Sequence, residues 1–182
     1  MRHLSTEELN AGLDDIRRAP KDAGVLELIV RRPRKGEREV LQEGQLDVHD
    51  GLVGDSWKHR GSSRSADGRA HPDMQINIMS SRVVHLVAGD RQRWPLAGDQ
   101  LFVDLDLSEA NLPPGTRLAI GSAMLEVTSE PHTGCEKFVA RFGLEAMKFV
   151  NSPLGRELNL RGINARVVQP GTIRVGDRVR KR

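Results

Sequence analysis

Short apolar segments, separated by glycine and proline turns, recur along most of this chain. Residues 25–30, 74–79 and 101–107 are examples in which apolar side chains alternate with polar ones or follow one another without a break. Segments of this length and pattern are typical of β-strands with one or both faces buried. Many short strands with turns between them favour a barrel, so we predict a mainly β fold, a closed or nearly closed β-barrel with a few peripheral helices.

Two turns predict β-hairpins. Gly121-Ser122 separates the strand-like segments 117–120 and 124–128, and Pro170-Gly171 separates 165–168 from 172–175. Two-residue connections of this kind usually join antiparallel neighbours. We therefore expect both pairs to be hairpins.

Helical spacing occurs in a few places. Leu9, Leu13 and Ile16 form one apolar stripe near the start of the chain, residues 82–88 predict a short helix, and another follows Cys135. We divide the chain into an N-terminal helix, residues 1–24, that packs on the barrel, and the barrel domain, residues 25–182.

The composition limits the classes of partner. Aromatic residues make up 3% of the chain and tyrosine is absent, which argues against a base-stacking platform for single-stranded nucleic acid. The 28 basic residues exceed the 25 acidic ones and include clusters at 31–35 and 178–182. Because both clusters adjoin proline, glycine or the terminus, we expect solvated charge there. A pocket for an anion such as phosphate is the alternative.

The only cysteine, Cys135, cannot form an internal disulfide, which fits a reducing compartment. The first eight residues are polar and no apolar run approaches the length of a bilayer span. We therefore expect a cytoplasmic protein with no membrane partner and no nucleic-acid partner.

The setting of Cys135 favours a reactive thiol. It follows Pro131-His132-Thr133-Gly134, a turn between a predicted strand and a predicted helix. A helix N-terminus stabilises a thiolate, and His132 and Lys137 are close enough in sequence to add to that effect. The alternative for Cys135 is a small buried hydrophobe, and His132 is a base, a ligand or only a turn residue.

Two other groups of residues are candidates for binding. The polar segment 51–72 is a long loop of a kind that is usually functional or disordered, and its Asp55 and His59 suit a polar ligand. Arg161 and Asn164 suit a phosphate or the edge of a heterocycle, or else they face solvent at the entry to a strand. The segment 51–59 lacks the spacing of a phosphate loop, and the histidines lack the spacing of a zinc site.

Four motifs follow one another along the chain. They are Gly51-Leu52-Val53-Gly54-Asp55, Ala97-Gly98-Asp99-Gln100-Leu101, Pro131-His132-Thr133-Gly134-Cys135, and Asn164-Ala165-Arg166-Val167-Val168 with the following 170–177. Taken together they resemble the MOSC domain, the C-terminal domain of molybdenum-cofactor sulfurases. The resemblance covers about residues 25–180, and relatives often carry Glu and Asn where this chain has Asp99 and Gln100.

The resemblance implies a β-barrel with a site for a molybdenum-pterin cofactor, molybdopterin, at one end. By position, Cys135 is the family cysteine that is proposed to carry sulfur or to bind molybdenum, and a soft thiolate suits that metal. His132 is a second candidate catalytic residue. The candidates for holding the cofactor, including its phosphate, are Asp55, Asn77, Ser80, Ser81, Thr133, Arg161 and Asn164.

Three functions remain open at this point. The first is a cofactor-binding protein that carries or transfers sulfur through a Cys135 persulfide. The second is a cofactor-dependent reductase of N-hydroxylated compounds, in which Cys135 ligates molybdenum. The third is a non-catalytic module that binds the cofactor or an anion. The chain has no room for a pyridoxal-phosphate domain and no flavin or iron–sulfur motif, so a sulfur-donor or redox partner protein is expected.

Overall fold

Alternating apolar residues form strands throughout the computed structural model, which describes residues 2–182. Six α-helices in this range are α1 (Thr6–Ala11), α2 (Leu13–Arg17), α3 (Ser81–Ala88), α4 (Glu136–Phe142), α5 (Leu144–Asn151) and α6 (Pro153–Glu157). Eleven strands in the same range are β1 (Ala23–Arg31), β2 (Glu39–Leu41), β3 (Glu43–Asp47), β4 (Gly51–Leu52), β5 (Ile76–Ser80), β6 (Leu101–Asp104), β7 (Arg117–Ile120), β8 (Ala123–Val127), β9 (Ile163–Gln169), β10 (Gly171–Arg174) and β11 (Arg178–Lys181).

Seven strands close into a barrel. Their order is β11-β7-β8-β9-β5-β6-β1, and β1 pairs with β11 to complete the ring. Strands β5 and β6 are parallel, and α3 lies on the connection between them. Strand β2 pairs with the C-terminal end of β1, from Ile29 to Arg31. Strands β10, β3 and β4 form a small second sheet. The prediction of a mainly β fold with a closed barrel and peripheral helices is confirmed.

The alternation of side chains along the strands gives the barrel two apolar layers. Leu101 and Ile78 point into the barrel and are fully buried in an inner cluster. Their neighbours Phe102 and Met79 point outward and are fully buried in a second cluster, together with Phe142 of α4. Successive residues of a strand face opposite sides of the sheet, so the barrel wall separates an inner core from an outer core under the helices.

The predicted N-terminal helix is two short helices. Gly12 separates α1 from α2. A Cβ atom at this position would lie 2.5 Å from Leu86 Cδ2, so the packing favours glycine, and glycine is a weak helix former. Leu9, Leu13 and Ile16 nevertheless form the predicted stripe and are buried in the outer core. Helices α3 and α4 confirm the other two predictions. None of the helices in residues 2–182 is long and apolar enough to cross a membrane.

One of the two predicted hairpins is present. Strands β7 and β8 pair antiparallel around Gly121-Ser122. The predicted hairpin around Pro170 is wrong, because β9 pairs with β5 and β8 in the barrel whereas β10 pairs with β3 in the small sheet. Pro170 has no N–H to donate to a ladder. Thr172 N instead donates to Ser122 Oγ, which ties β10 to the β7–β8 turn.

The long polar segment 51–72 packs against the loop that leads to Cys135. It begins with β4 and contains a 3₁₀ turn at Trp57–His59. Arg64 Nη1 donates to Glu130 Oε2 at 3.1 Å and to the carbonyl of Pro131 at 3.0 Å. These bonds bring two segments that are distant in sequence to the same part of the molecule.

Candidate functional site

Arg32 is the centre of a buried polar network on the outer face of the barrel wall. Its side chain follows Leu28 and Val30 on that face, since strand residues two apart share a face. The guanidinium donates to Asp55 Oδ1 at 2.9 Å and Oδ2 at 2.8 Å, and to Asn77 Oδ1 at 2.9 Å. The prediction of solvated charge is therefore wrong at Arg32, which is 5% exposed.

Two strands and a buried amide extend this network. Asn77 of β5 and Asn164 of β9 are register partners, and Asn77 Nδ2 donates to Asn164 Oδ1 at 2.6 Å. Asn164 Nδ2 in turn donates to the carbonyl of Glu130 at 3.0 Å. Gln100 is fully buried and bonds to the backbone of Asn77 and Gln75. Gln100 therefore holds strands in place, whereas Asn77 and Asn164 link the barrel wall to the loop before Cys135.

A second buried cluster joins Asp99, His132 and Arg161. Asp99 is fully buried, and its Oδ1 lies 2.7 Å from His132 Nε2 while its Oδ2 accepts from Arg161 Nη1 at 2.7 Å. Burial alone would raise the pKa of Asp99, but the charge of Arg161 and the contacts with His132 outweigh it and hold that pKa below its ordinary value. Asp99 is therefore ionised at neutral pH.

His132 is neutral in this setting. Burial and repulsion from Arg161 lower its pKa more than Asp99 raises it. A neutral imidazole beside a carboxylate donates its N–H to that carboxylate, so we assign the proton to Nε2. His132 Nδ1 then has its lone pair free, and no residue from 2 to 182 donates to it.

Four consecutive backbone carbonyls bring four arginines together. The carbonyls belong to residues 95–98, at the end of the 3₁₀ segment Arg91–Ala97. The donors and acceptors are Arg38 to Pro95 O (3.2 Å), Arg141 to Leu96 O (2.5 Å), Arg161 to Ala97 O (2.9 Å) and Arg32 to Gly98 O (2.8 Å). Gly98 ends the segment in the left-handed region, with φ +91°, and a side chain there would lie within 3.8 Å of the guanidinium nitrogens of Arg141 and Arg38.

These four arginines and Arg60, which lies 3.9 Å from Asp55, are called the arginine cluster below. Among residues 2–182 its five guanidiniums form ion pairs with two carboxylates, those of Asp55 and Asp99, which leaves an excess of three positive charges in the cluster. Burial and repulsion from Arg141 and Arg32 lower the pKa of Arg38. Since guanidiniums bind phosphate and carboxylate oxygens well, the cluster is suited to an anion.

A cavity of about 240 Å³ adjoins the arginine cluster. Arg32, Arg60, Asn77, His132 and Trp57 line it. The indole N–H of Trp57 is buried and donates to no residue in 2–182, although buried donors normally have partners. The lining of this cavity is thus polar and carries positive charge from Arg32 and Arg60.

A second cavity, of about 270 Å³, lies beside the first. Thr133, Asn164 and Gly162 line it together with His132. Since His132 lines both cavities, this residue lies where the two adjoin.

Cys135 ends the loop whose residues line these cavities. The preceding peptide is fixed by Asn151 of α5, whose Oδ1 accepts from Gly134 N at 2.8 Å and whose Nδ2 donates to Gly134 O at 3.0 Å. Cys135 itself is exposed and occupies the N-cap position of α4. The three intervening peptide units allow at most about 10 Å between the Cα atoms of His132 and Cys135. The thiol is thus open to a second protein and near the cavities.

The structure brings most of the predicted cofactor residues together. Asp55, Asn77, Arg161 and Asn164 belong to the networks around Arg32 and Asp99, and Thr133 lines the second cavity. Ser80 and Ser81 do not join them. Ser80 lies three residues after Asn77 on β5, and an odd spacing on a strand reverses the face. Ser81 begins α3, and His59 is exposed.

Several residues of the site were not predicted from sequence. Asp99 lies inside a motif that was noticed, and Arg32 continues the alternation of Leu28 and Val30, so each had a local signal. Arg38, Arg60 and Arg141 come from three separate segments and meet only through the carbonyls of 95–98 and the carboxylate of Asp55. No pattern within one segment indicates that convergence.

Residues 2–182 contain no group of three or more His, Cys, Asp or Glu side chains placed to hold a metal ion. Cys135 and His132 are the nearby side chains with suitable atoms.

The comparisons with known proteins agree with this fold. The family model of the MOSC domain matches residues 69–180. The YuaD protein from Bacillus subtilis has a similar crystal structure, with a TM-score of 0.62 and 20% identity over 87% of this chain and 95% of that one. YiiM from Escherichia coli gives 0.54 and 20% over 87% and 69%, and YiiM from Geobacillus stearothermophilus gives 0.52 and 15% over 90% and 74%.

At these identities the likeness to the solved structures concerns the fold alone. No protein of curated function matches the chain by sequence. The family model, however, spans more than half of the chain, including β5 to β11 and the loop that carries His132 and Cys135. The chain belongs to the MOSC domain family.

Proposed function

We propose that this chain binds a molybdenum-pterin cofactor at the arginine cluster and carries or transfers sulfur through a persulfide on Cys135. The observation that carries the proposal is the uncompensated charge of the arginine cluster, beside a cavity whose loop ends at an exposed thiol. Membership of the MOSC family supports the choice of cofactor.

The residues present fit such a group. Arg38, Arg60 and Arg141 have donors left over for a phosphate, since none of them has a full set of partners among residues 2–182. The amide of Asn77, which lines the same cavity, suits a polar edge of the heterocycle. When bound, the cofactor supplies a molybdenum centre that accepts sulfur or exchanges electrons.

The accessibility of Cys135 suits sulfur transfer between proteins. The Cys135 thiolate attacks the outer sulfur of a donor persulfide, a new S–S bond forms at Cys135 Sγ, and the donor's S–S bond breaks. The donor leaves as a thiolate with the electron pair, so the step consumes no oxidant. An exposed thiol on a loop fixed by Asn151 can meet a donor protein without unfolding.

Intact mass measurement after incubation with a small-molecule persulfide tests the sulfur-carrying step. We expect the wild type to gain one sulfur, to lose it on treatment with dithiothreitol, and the Cys135→Ser variant to gain none. An equal gain in Cys135→Ser, or no gain in the wild type, would overturn the persulfide role.

A second function is favoured by one observation, the neutral His132 with a free Nδ1 at the place where the two cavities adjoin. Reduction of an N-hydroxylated compound consumes two protons and two electrons and releases water, and His132 can relay protons to either cavity. In that case Cys135 ligates molybdenum and a partner protein supplies the electrons.

Metal and pterin analysis separates the two roles of Cys135. The protein is purified from a host that makes the cofactor, as wild type and as Cys135→Ala. Loss of molybdenum with retention of pterin in the variant supports the ligand role, and unchanged molybdenum contradicts it. If neither molybdenum nor sulfur loading responds to Cys135, the non-catalytic binding module is the better description.

A further inference from the structure

Residues 61–70, called the strap below, form one wall of the cavity of about 240 Å³ beside the arginine cluster. Gly61 and Ala70 line this cavity from the strap, whereas Arg32 and Asn77 line it from the barrel. Most strap residues are exposed and none is fully buried. The strap therefore separates this side of the cavity from solvent.

The backbone hydrogen bonds of the strap stay within it. Ser62 N donates to Gly68 O at 3.3 Å and to Arg69 O at 3.2 Å. Gly68 N donates to Ser65 O at 3.1 Å. The two ends of the strap approach closely at Gly61, where a Cβ atom would lie 2.6 Å from Gly68 O. The strap is thus a compact surface loop whose ends are held together, and it can move as a unit.

A single side chain connects the strap to the rest of the molecule by hydrogen bonds. Arg64 Nη1 donates to Glu130 Oε2 at 3.1 Å and to Pro131 O at 3.0 Å, and within residues 2–182 no other hydrogen bond joins the strap to a residue outside it. The side chains of Arg64 and Glu130 are 40% and 25% exposed. Because solvated ion pairs contribute little free energy, this connection can open at small cost.

The strap also lacks apolar anchors, whereas the residues on either side of it are fixed. Neither apolar core of the described residues contains a strap side chain. Before the strap, Trp57 N donates to Asp55 Oδ2 at 3.0 Å, and after it Asp73 O accepts from Thr128 Oγ1 at 2.6 Å. Segments with few buried apolar contacts open locally while the remainder stays folded. Movement is therefore expected in the strap and not in the chain that flanks it.

We propose that the strap is a lid over the cavity at the arginine cluster and that Arg64 is the latch that holds it closed on Glu130 and Pro131. Opening breaks the two bonds of Arg64 and uncovers the wall that carries Arg32, so that a ligand can enter. Closing restores both bonds and covers the ligand. The entry of a ligand rests on the proposed function, whereas the opening of the strap is testable without one.

Hydrogen exchange at the indole N–H of Trp57, followed in ¹H–¹⁵N spectra, tests the lid without a ligand. Trp57 lines the cavity together with the strap and its indole N–H is buried, so we expect its exchange to require opening. Arg64→Gln should speed this exchange about fivefold and leave the indole N–H of Trp94, in the outer core, unchanged. The matched control is Arg69→Gln, because Arg69 is 86% exposed and pairs with Asp67 inside the strap. Equal exchange in wild type and Arg64→Gln, or equal acceleration in Arg69→Gln, would overturn the proposal.

The association rate of pterin-6-carboxylate, a fluorescent pterin with a negative charge, tests the effect of the lid on the cavity. Release of the latch should raise this rate about fivefold in Arg64→Gln and by a smaller factor in Glu130→Gln, where the bond to Pro131 O remains. Attraction by charge alone predicts opposite signs, because loss of the Arg64 charge slows an anion and loss of the Glu130 charge speeds it. A slower rate in Arg64→Gln than in wild type would therefore contradict the latch.

The double variant checks that the two side chains act through one contact. Arg64→Gln with Glu130→Gln should associate no faster than Arg64→Gln alone, and additive effects would contradict a shared latch. If pterin-6-carboxylate does not bind the wild type or any variant, the proposed cofactor site is contradicted, and the exchange at Trp57 decides the lid by itself.

Discussion

Replacement of Arg32 by methionine tests the buried network most severely. Methionine keeps much of the side-chain volume but leaves the Asp55 carboxylate, whose side chain is 0% exposed, without its guanidinium partner. Breaking a buried ion pair from one side costs about 3–5 kcal/mol. Domains of this kind have about 5–15 kcal/mol of total stability, so Arg32→Met should lose a large share of it.

Urea unfolding followed by tryptophan fluorescence measures this loss. With an m-value of about 2 kcal/mol/M, the midpoint should fall by about 2 M. The matched control is Arg34→Met, because Arg34 is 81% exposed and its pair with Glu37 is solvated. That control should change stability by less than about 0.5 kcal/mol.

The pH dependence of the loss identifies its cause. In the wild type, burial raises the pKa of Asp55 but the bonds and charge of Arg32 outweigh it and hold that pKa below the ordinary value of 3.8. In Arg32→Met the buried carboxyl keeps only the more distant Arg60, at 3.9 Å, as a cationic neighbour, so its pKa rises and it takes up a proton as pH falls. The difference between wild type and variant should therefore shrink from neutral pH toward about pH 4. A loss below about 1 kcal/mol, or a loss that does not change with pH, would refute this account of Arg32.

Two further predictions concern the loop before Cys135. The folded pKa of His132 lies below its ordinary value of 6.5, so the unfolded chain binds the proton first and stability falls as pH drops below about 6.5, with no contribution from this group above it. Urea midpoints between about pH 7.5 and pH 5 should fall less in His132→Gln than in the wild type, and equal slopes would contradict the assignment of a neutral His132. Asn151→Ala should cost about 1–2 kcal/mol and speed hydrogen exchange at the Gly134 amide, because both bonds that fix this peptide are lost. Asn10→Ala, on an exposed helix face, is its control, and unchanged exchange at Gly134 would show that Asn151 does not fix the loop.

The sequence pattern predicts the barrel well because successive residues of a strand face opposite sides of the sheet, so the pattern shows which side chains are buried on each side. Alternation at 101–107 places Leu101 inside the barrel and Phe102 outside it, as the two cores require. The failed hairpin at Pro170 shows the limit of this reasoning. A turn signal indicates that the chain changes direction, whereas the choice of partner strand depends on β3, which is distant in sequence.

The site was predictable where its residues lie in contiguous motifs. Asp55, His132 and Cys135 stand in such motifs, and Asn77 and Asn164 pair across adjacent strands. The convergence of the arginine cluster was not predictable, although Arg161 was a candidate, because Arg38, Arg60 and Arg141 lie in three separate segments of the chain. Only the fold places the carbonyls of 95–98 where Arg38 and Arg141 can donate to them.

The pterin content of Arg60→Gln is the most direct test of the cofactor proposal. Arg60 lines the cavity and contributes uncompensated charge, whereas Arg69 lies on the same long loop with an 86% exposed side chain and does not line that cavity. Wild type, Arg60→Gln and Arg69→Gln are purified from a host that makes the cofactor, and pterin and molybdenum are measured per chain. The account predicts that wild type and Arg69→Gln carry pterin and molybdenum together and that Arg60→Gln loses most of both. Wild type without pterin, or equal pterin in Arg60→Gln and wild type, would contradict it.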